Sequence, residues 1–220
     1  MKQLIVIPAY NTNKYISILV AKIRLKTDTD ILIYDDGSNP SISLDSSFEN
    51  IVLKRNIINK GKGNVLIKAF NYALKNNFTH IITIDSDLQH NPDSINLFLD
   101  MDKEVDLVVG KRNFSKPMPV HRRFSNQITS FIISILVGKK IKDSQCGYRK
   151  YKISSFDIKS CIEKGFHFES EILLKSINRE SIIKHINIET IYNMDNNSSI
   201  KNFSDTLKFI SLIRRFCFGF

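Results

Sequence analysis

Two aspartates, Asp85 and Asp87, stand one residue apart directly after the apolar run 81–84. The run predicts a buried strand, where an unpaired carboxylate costs several kcal/mol. At the carboxyl end of a parallel strand, however, two such acids face a ligand crevice, and a divalent cation can pair with their oxygens. The pattern therefore indicates a metal and diphosphate site. The alternative is a capping turn before a helix that starts near Pro92.

Two more polar turns follow predicted strands. The turn from Pro8 to Asn11 follows the strand 4–7, and the turn from Asp35 to Ser38 follows the strand 31–34. In a doubly wound sheet such turns converge on one crevice, where a carboxylate can hold a base or a ribose hydroxyl by hydrogen bonds. The second turn alone is equally consistent with an Asx turn that has glycine at positive φ.

The elements that would position these turns alternate along the first half of the chain. Further strands are predicted at 51–53, 81–84 and 107–109, and helices at 15–25, 62–75 and 92–100. This alternation predicts βαβ units, and hence an α/β fold with a mostly parallel sheet covered by helices. The second half is less regular. Helices are predicted there at 123–137, 169–178 and 205–216, and strand-like segments near 143–151 and 182–191.

The segment 59–64 reads Asn-Lys-Gly-Lys-Gly-Asn and opens the second helix. It has neither the GxxxxGK[ST] spacing of a phosphate loop nor the GxGxxG fingerprint. We interpret it as a flexible helix start near the crevice. Direct cradling of a phosphate is the alternative.

Composition limits the classes of function. The chain has 220 residues, 42% of them hydrophobic and 25% charged, which predicts one domain with a sizeable core. Three widely spaced cysteines argue against a disulfide framework and a zinc site. The net charge of +10 predicts an acidic partner, but no nucleic-acid-binding motif is present, so we expect no nucleic acid. No secretory signal and no run of the roughly 18–20 apolar residues of a spanning helix is evident.

The ordered set of these motifs resembles family 2 glycosyltransferases, and more narrowly the branch of dolichyl-phosphate and polyprenyl-phosphate sugar transferases. The segments that carry the resemblance are 6–11, 35–38, 59–63, 85–92 and 147–149. It implies the GT-A fold, a Rossmann-like nucleotide-binding, mostly parallel sheet flanked by helices. It also implies one domain over 1–220, with a nucleotide-sugar-binding half at 1–112 and an acceptor-binding half at 113–220.

By position, the resemblance implies a donor site and a metal site. The implied nucleotide-sugar-binding residues are Pro8, Tyr10, Tyr34, Asp36, Asp85, Ser86 and Arg112. Asp85, Asp87 and Gln89 would surround Mg²⁺ or Mn²⁺ bridging the diphosphate. Such a metal would neutralise the charge that develops on the leaving nucleotide diphosphate, so Asp87 is also implied to be catalytic.

The resemblance also implies that arginines grip the phosphate of the acceptor. Arg122, Arg123 and Arg149 match these positions. A planar guanidinium suits this task because it donates two parallel hydrogen bonds. For the adjacent pair, the plainer alternative is a solvated helix start.

The nature of the acceptor decides whether a general base is needed. A polyprenyl phosphate is already anionic near neutral pH, whereas a saccharide hydroxyl needs a carboxylate within hydrogen-bond reach. Glu171 matches an acidic position of the family and completes the implied catalytic set, and Asp143 is a second candidate. A surface helix turn is the alternative for Glu169 and Glu171.

One segment departs from the family pattern. Residues 192–201 replace a basic loop that contacts the donor phosphates in dolichyl-phosphate mannose synthases, and Thr12 stands where close relatives often carry an acid. We expect Ser198, Ser199 and Lys201 to close over the donor. The sugar and the base of the donor stay open.

A lipid acceptor requires contact with a bilayer. The apolar run 131–137, flanked by Lys139, Lys140 and Lys142, and the aromatic and basic helix at the C-terminus are predicted to lie on an anionic membrane face. The alternative is that both helices face the core. These observations predict an enzyme at the cytoplasmic face of a membrane, attached peripherally.

The favoured function is metal-dependent, inverting transfer of a sugar from a nucleotide diphosphate sugar to a polyprenyl phosphate. The first alternative keeps this chemistry but uses a saccharide hydroxyl of a cell-surface glycan or glycolipid as the acceptor. The second alternative is a nucleotide-sugar-binding protein without catalysis.

Overall fold

The structure is a computed structural model that describes residues 1–44, 48–113, 120–191 and 202–219. Its strands are β1 (Gln3–Ala9), β2 (Ile31–Asp35), β3 (Ile51–Arg55), β4 (His80–Thr83), β5 (Leu107–Arg112), β6 (Arg149–Lys152) and β7 (Ile183–Ile188). Its helices are α1 (Asn13–Arg24), α2 (Lys62–Lys75), α3 (Ile95–Leu99), α4 (Val120–Val137), α5 (Phe168–Ser176) and α6 (Asn202–Phe218).

The seven strands form one sheet in the order β3-β2-β1-β4-β6-β5-β7. Neighbouring strands run parallel, except that β6 is antiparallel to both β4 and β5. The predicted mostly parallel sheet flanked by helices is therefore confirmed. Helix α1 separates β1 from β2 and helix α2 separates β3 from β4, as the sequence predicts, whereas β2 and β3 follow each other with no helix among the described residues between them.

Hydrophobic patterning explains why these segments form these elements. The inner strands β1, β2 and β4 are buried along nearly their whole length, as expected for strands that are covered on both faces. Helix α1 buries Ile16, Leu19, Val20 and Ile23. Their spacing of three and four residues places them on one face of the helix, which packs against the core.

The strand order creates a crevice at the centre of the sheet. The chain leaves β1 towards β2 on one side and later returns to β4 on the other, so a switch of direction occurs at β1. Such a switch opens a crevice outside the carboxyl ends of the strands. Ala9 is level with Asp35, and Val6 with Thr83, so the turns after β1, β2 and β4 lie at the same edge.

Helix α4 departs from the usual amphipathic pattern. Its polar residues Asn126, Thr129 and Ser130 are buried, while large apolar residues on the opposite side are exposed. Those exposed residues are Phe124, Ile128, Phe131 and Ile135. The predicted apolar run 131–137 is thus divided, because Ile133 and Val137 pack in the core. Among the described residues, no helix has the length and apolar character needed to cross a membrane.

Candidate functional site

Asp85 lies at the centre of the crevice, in the turn after β4. Its Oδ1 atom is 2.6 Å from Nζ of Lys62, and its Oδ2 atom is 3.4 Å from Nε2 of His90. The same ammonium is 2.7 Å from Oε1 of Glu169. One lysine at the start of α2 therefore joins a carboxylate of the β4 turn to a carboxylate of α5.

Local structure explains why Lys62 has two acidic partners. Lys62 is the first residue of α2, and a cation is unfavourable at the positive end of a helix dipole unless carboxylates compensate it. Glu169 belongs to the first turn of α5, where an acid is favourable. Gly147 leaves room for the ion pair between Asp85 and Lys62. A Cβ at this position would lie 2.5 Å from Oδ2 of Asp85 and 2.8 Å from Nζ of Lys62.

The two aspartates of the turn differ in electrostatic environment. Burial opposes ionisation of Asp85, but Lys62 and His90 hold the pKa of its carboxyl well below the ordinary value. Burial and then the Asp85 carboxylate raise the pKa of Asp87. Burial also opposes the charge on Lys62, yet Asp85 and Glu169 raise its pKa. Two carboxylates thus share Lys62, and Asp87 is a third acidic side chain in the same turn as Asp85, so this excess of acidic groups suits a further cation.

Asp87 lies in the same turn and has one carboxylate oxygen engaged by the protein. Its Oδ1 atom accepts a hydrogen bond of 3.0 Å from the backbone N–H of Gln89, and Leu88 between them has a φ of +59°. Asp87 and Gln89 are both partly exposed. The capping alternative does not account for this turn, because the side chain of Asn91 caps the following short helix.

The donor set fits a hard divalent cation. Two carboxylates at the mouth of a crevice supply oxygen ligands, which Mg²⁺ and Mn²⁺ prefer. Within the described ranges, no group of three or more His, Cys, Asp or Glu side chains could hold a metal ion. A metal at Asp85 and Asp87 would therefore need water and the oxygens of a diphosphate to complete its shell. This is the way in which Mg²⁺ is usually bound.

Ser86, predicted to bind the nucleotide sugar, connects two of the turns. Its Oγ atom accepts a hydrogen bond of 3.0 Å from Oγ1 of Thr12, which precedes α1. Ser86 itself is buried. The bond therefore fixes the turn after β1 against the acidic turn after β4.

Asp36, predicted to bind the nucleotide, is buried and holds the start of α2. Its carboxylate accepts hydrogen bonds from Nδ2 of Asn56 at 2.7 Å, the N–H of Lys60 at 2.9 Å and the N–H of Gly61 at 2.7 Å. About one of its four acceptor positions is left for a ligand. The same bonds use two N–H groups of the glycine-rich segment, which disfavours direct phosphate cradling there.

Asp35 closes its own turn by a bond to the N–H three residues on, one residue further than in the Asx turn that the sequence left open as an alternative. Its Oδ1 atom accepts a hydrogen bond of 2.8 Å from the N–H of Ser38, and Gly37 has a φ of +79°. The two neighbouring aspartates thus have different tasks. Asp35 shapes its own turn, and Asp36 fixes the beginning of α2.

The remaining predicted nucleotide contacts lie at the ends of β1 and β2. Tyr10 is 49% exposed at the mouth of the crevice, so its ring is free to stack on a base. Pro8 and Tyr34 are paired across the two strands and are buried. Nζ of Lys68 lies 5.7 Å from the centre of the Tyr34 ring, so that ring faces α2.

Arg112 forms a two-point ion pair with Asp143. Its Nε and Nη2 atoms are each 2.8 Å from an oxygen of that carboxylate, which also accepts a 3.0 Å bond from Nδ2 of Asn126. Burial opposes ionisation, but Arg112 and Asn126 lower the pKa of Asp143. Asp143 is fully buried, so the prediction that it could serve as a base does not fit its position.

The structure does not bring Arg149 to the crevice, in contrast to the predicted grip on the acceptor. The residue is fully buried. Its guanidinium donates to the carbonyl oxygens of Cys146 at 2.7 Å, Ser144 at 2.6 Å and Glu169 at 3.1 Å. Because its donors are used within the protein, Arg149 ties the loop 144–146 to the start of α5.

Glu171 is likewise placed in the interior. Its carboxylate accepts hydrogen bonds from the N–H groups of Ile162 and Glu163 and pairs with Lys175 at 2.9 Å. It therefore fixes the loop before α5 and does not reach the crevice. The alternative of a surface helix turn fails as well, because both Glu169 and Glu171 are buried.

Other predicted contacts are only partly described. Arg123 is exposed near the start of α4. The side chain of Arg122 lies outside the described residues, as does the segment with Ser198, Ser199 and Lys201. Their predicted roles stay predictions.

The sequence did not predict three residues of the site. These are Lys62 and His90, which contact Asp85, and Glu169, which pairs with Lys62. A signal for Lys62 existed, because a lysine at the first position of a helix requires nearby carboxylates. No comparable signal identified Glu169 over Glu171, since both occupy the same helical turn. Only the packing of α5 against α2 distinguishes them.

Comparisons with known proteins identify the family and the fold. The model of glycosyl transferase family 2 matches residues 4–166. The undecaprenyl-phosphate mannosyltransferase of Micrococcus luteus is 23% identical over 190 residues, which are 80% of this chain and 78% of that protein. The UDP-N-acetylglucosamine–dolichyl-phosphate N-acetylglucosaminyltransferase of Methanococcus voltae is 27% identical over 213 residues, 86% of this chain and 85% of that protein.

A solved structure shows the same fold. It is the glucosyl-3-phosphoglycerate synthase of Mycobacterium tuberculosis in complex with Mn²⁺, UDP and glucosyl-3-phosphoglycerate. The TM-score is 0.65 at 13% identity, over 98% of this chain and 79% of that one. The sheet and its flanking helices are therefore those of the GT-A fold.

Proposed function

The chain belongs to glycosyl transferase family 2, in its polyprenyl-phosphate sugar transferase-like branch, and we propose that it transfers a sugar from a nucleotide diphosphate sugar to a polyprenyl phosphate with the help of a divalent metal. As a glycosyltransferase it is an enzyme, so a purely nucleotide-sugar-binding role is set aside. The observation that carries the proposal is the acidic turn with Asp85 and Asp87 at the switch point of the sheet.

The residues of the crevice divide the work on the donor. The half-exposed ring of Tyr10 stacks on the base, and Asp36 offers its remaining acceptor position while it holds the start of α2. Asp85 and Asp87, with Gln89 beside them, would hold Mg²⁺ or Mn²⁺ at the donor site. When bound, that ion supplies the positive charge that stabilises the leaving nucleotide diphosphate.

A phosphate acceptor is favoured over a saccharide hydroxyl by the state of the carboxylates. A hydroxyl acceptor needs a free carboxylate as a base. Glu171 and Asp143 are buried and engaged with protein donors, and Glu169 is paired with Lys62. A polyprenyl phosphate needs no such base. The Micrococcus luteus and Methanococcus voltae relatives are named for transfer to lipid phosphates, which supports the same choice.

Arg123 is the exposed arginine that we assign to the acceptor phosphate, together with Arg122. Both begin α4, in the half of the chain predicted to bind the acceptor. Arg112 stays near the donor through its pair with Asp143, and it positions the start of α4 through Asn126. In the proposed grip, Arg122 and Arg123 thus act without Arg149.

The inverted pattern of α4 supports peripheral contact with a membrane. Its outward face carries Phe124, Ile128, Phe131 and Ile135, which are 42–66% exposed. A groove of about 830 Å³ beside it is lined by Lys111, Lys139, Lys140 and Lys142. Aromatic and basic residues side by side suit an anionic bilayer surface. We propose that this face docks on the cytoplasmic leaflet and brings the crevice to its lipid acceptor.

The test is a transfer assay with labelled nucleotide sugars and either polyprenyl phosphate or an oligosaccharide as the acceptor, with and without Mn²⁺. We expect a labelled product that extracts into organic solvent and is cleaved by mild acid, and that requires the metal. Label transferred to the oligosaccharide alone would replace the lipid acceptor by the saccharide alternative. Full turnover in the presence of a chelator would overturn the metal assignment.

A further inference from the structure

Lys62 binds a carboxylate of the acidic turn for which a metal ion would compete. Its ammonium is 2.6 Å from Oδ1 of Asp85, and its side chain is only 15% exposed. Asp85 is one of the two carboxylates that we assign to the metal. An internal cation is therefore bound to one of the proposed metal ligands.

The surroundings hold Lys62 in place when its bond to Asp85 is broken. Its ammonium keeps Glu169 as a second partner at 2.7 Å. The backbone of Glu169 is fixed by Arg149, and the start of α2 is fixed by the bond from the N–H of Gly61 to Asp36. Lys62 therefore stays close to Asp85, and its positive charge stays in the crevice.

We propose that Lys62 is a built-in counter-ion that makes metal binding at Asp85 depend on the diphosphate of the donor. A divalent cation that enters alone meets the nearby ammonium, and their repulsion weakens its binding. The diphosphate adds negative charge that offsets this repulsion. Metal and nucleotide diphosphate then bind cooperatively, and each strengthens the other by the same factor.

This inference rests on the proposed metal and diphosphate chemistry, and it adds the residue that couples the two ligands. Lys62 is accordingly a positioning residue. An ordinary structural ion pair makes a different prediction. If Lys62 and Glu169 formed only a structural pair, loss of either side chain would loosen the turn and weaken metal binding. If Lys62 competes with the metal, loss of Lys62 should strengthen metal binding, and loss of Glu169 should weaken it.

The experiment measures Mn²⁺ binding by the electron paramagnetic resonance signal of the free ion, without an acceptor or turnover. Titrations are made with Mn²⁺ alone and with UDP or GDP added. The variants are Lys62→Met and Glu169→Gln. The matched control is Lys152→Met, which removes a lysine that pairs with Glu104 at 2.8 Å outside the crevice.

We expect Lys62→Met to bind Mn²⁺ alone about 5- to 20-fold more tightly than wild type, within the usual range of coupling between sites. The enhancement of Mn²⁺ binding by the nucleotide should shrink by a similar factor. Glu169→Gln should bind Mn²⁺ alone several-fold more weakly, because Lys62 then pairs with Asp85 only. The control should match wild type.

Equal or weaker Mn²⁺ binding by Lys62→Met overturns the proposal. Should that variant fail to fold, the nucleotide enhancement in Glu169→Gln decides. A competing Lys62 makes UDP or GDP strengthen Mn²⁺ binding by a larger factor in Glu169→Gln than in wild type, whereas an unchanged or smaller factor contradicts the proposal. A different result is that the wild-type protein binds no Mn²⁺ in the presence of either nucleotide. That result refutes the metal assignment in the proposed function, and the coupling with it.

Discussion

The crevice and the outer face of α4 treat charge in opposite ways. In the crevice, Lys62 bridges two carboxylates, and at the border of the two regions Arg112 forms a two-point pair with Asp143. Beside α4, four lysines line one groove without a carboxylate partner within ion-pair distance in the described part of the chain. The crevice thus pairs its charges within the protein, whereas the described lysines beside α4 have no such acidic partners.

The same contrast holds for apolar side chains. Around the crevice, the strands bury their apolar residues and present polar turns at their ends. Helix α4 buries Asn126 and Ser130 and exposes Phe131 and Ile135. Apolar side chains that face water contribute no burial free energy, whereas the same side chains in contact with a bilayer are removed from water and stabilise the bound state. The comparison fits the proposal that the first region binds a charged ligand and that the second docks on a lipid surface.

The largest effect is expected for Asp87→Asn in the crevice. We expect the rate of sugar transfer to fall about 100- to 1,000-fold, as for the loss of other charge-stabilising groups. Stability should not fall, because burial and Asp85 already disfavour the charge on Asp87. Transfer assays and thermal unfolding check both parts. Asp93→Asn, at an exposed aspartate outside the acidic turn, is the control, and full turnover by Asp87→Asn would break the metal assignment.

Arg149→Met separates a structural arginine from one that grips the acceptor. Three carbonyl oxygens would lose a charged donor in the interior, so the free energy of unfolding should fall by about 3 kcal/mol or more. Urea denaturation measures this loss. Arg123→Met serves as its counterpart and should raise the KM for polyprenyl phosphate at unchanged stability. A raised KM at unchanged stability for Arg149→Met, together with a loss of stability for Arg123→Met, would contradict these two roles.

The double substitution Phe131→Ser and Ile135→Ser sharpens the comparison from the side of α4. Each side chain removed takes away apolar contact worth about 1–2 kcal/mol, so binding to vesicles with anionic lipid should weaken at least about ten-fold. Vesicle sedimentation measures the loss. Binding of the nucleotide diphosphate should not change. Vesicle binding equal to wild type would mean that another surface meets the bilayer.

The smallest effect concerns acid stability at the border of the two regions. Arg112 and Asn126 keep the folded-state pKa of Asp143 below its unfolded value of about 3.9, despite burial. The resulting stabilisation is therefore complete above that pH and is lost as the pH falls through the folded-state pKa. Asp143→Asn should flatten the pH dependence of unfolding in this acidic range. An unchanged pH profile would show that Asp143 contributes no such linkage.

Much of the fold could be predicted from the sequence, because strands buried on both faces and polar turns leave strong local signals. The strands near 4–7, 31–34 and 81–84 and the helix 62–75 were predicted close to their final bounds. The antiparallel insertion of β6 between β4 and β5 was not predicted. It depends on contacts between distant segments, which a local pattern does not encode.

The candidate site was predictable only in part. The carboxylates of the acidic turn follow from the end of a strand, but the fate of Arg149 and Glu171 depends on burial that their neighbours in sequence do not reveal. Helix α4 gives the same lesson. Its apolar run was visible in the sequence, whereas the division into core and surface residues follows from which face meets the loop around Asp143 and Ser144.

The most direct test of the central claim is a crystal of the protein with Mn²⁺ and a nucleotide diphosphate, measured at the absorption edge of manganese. The account predicts one strong anomalous peak in the crevice, within about 2.0–2.6 Å of carboxylate oxygens of both Asp85 and Asp87, as hard cations require. A peak at other residues, or a nucleotide bound with no metal near this turn, would contradict it.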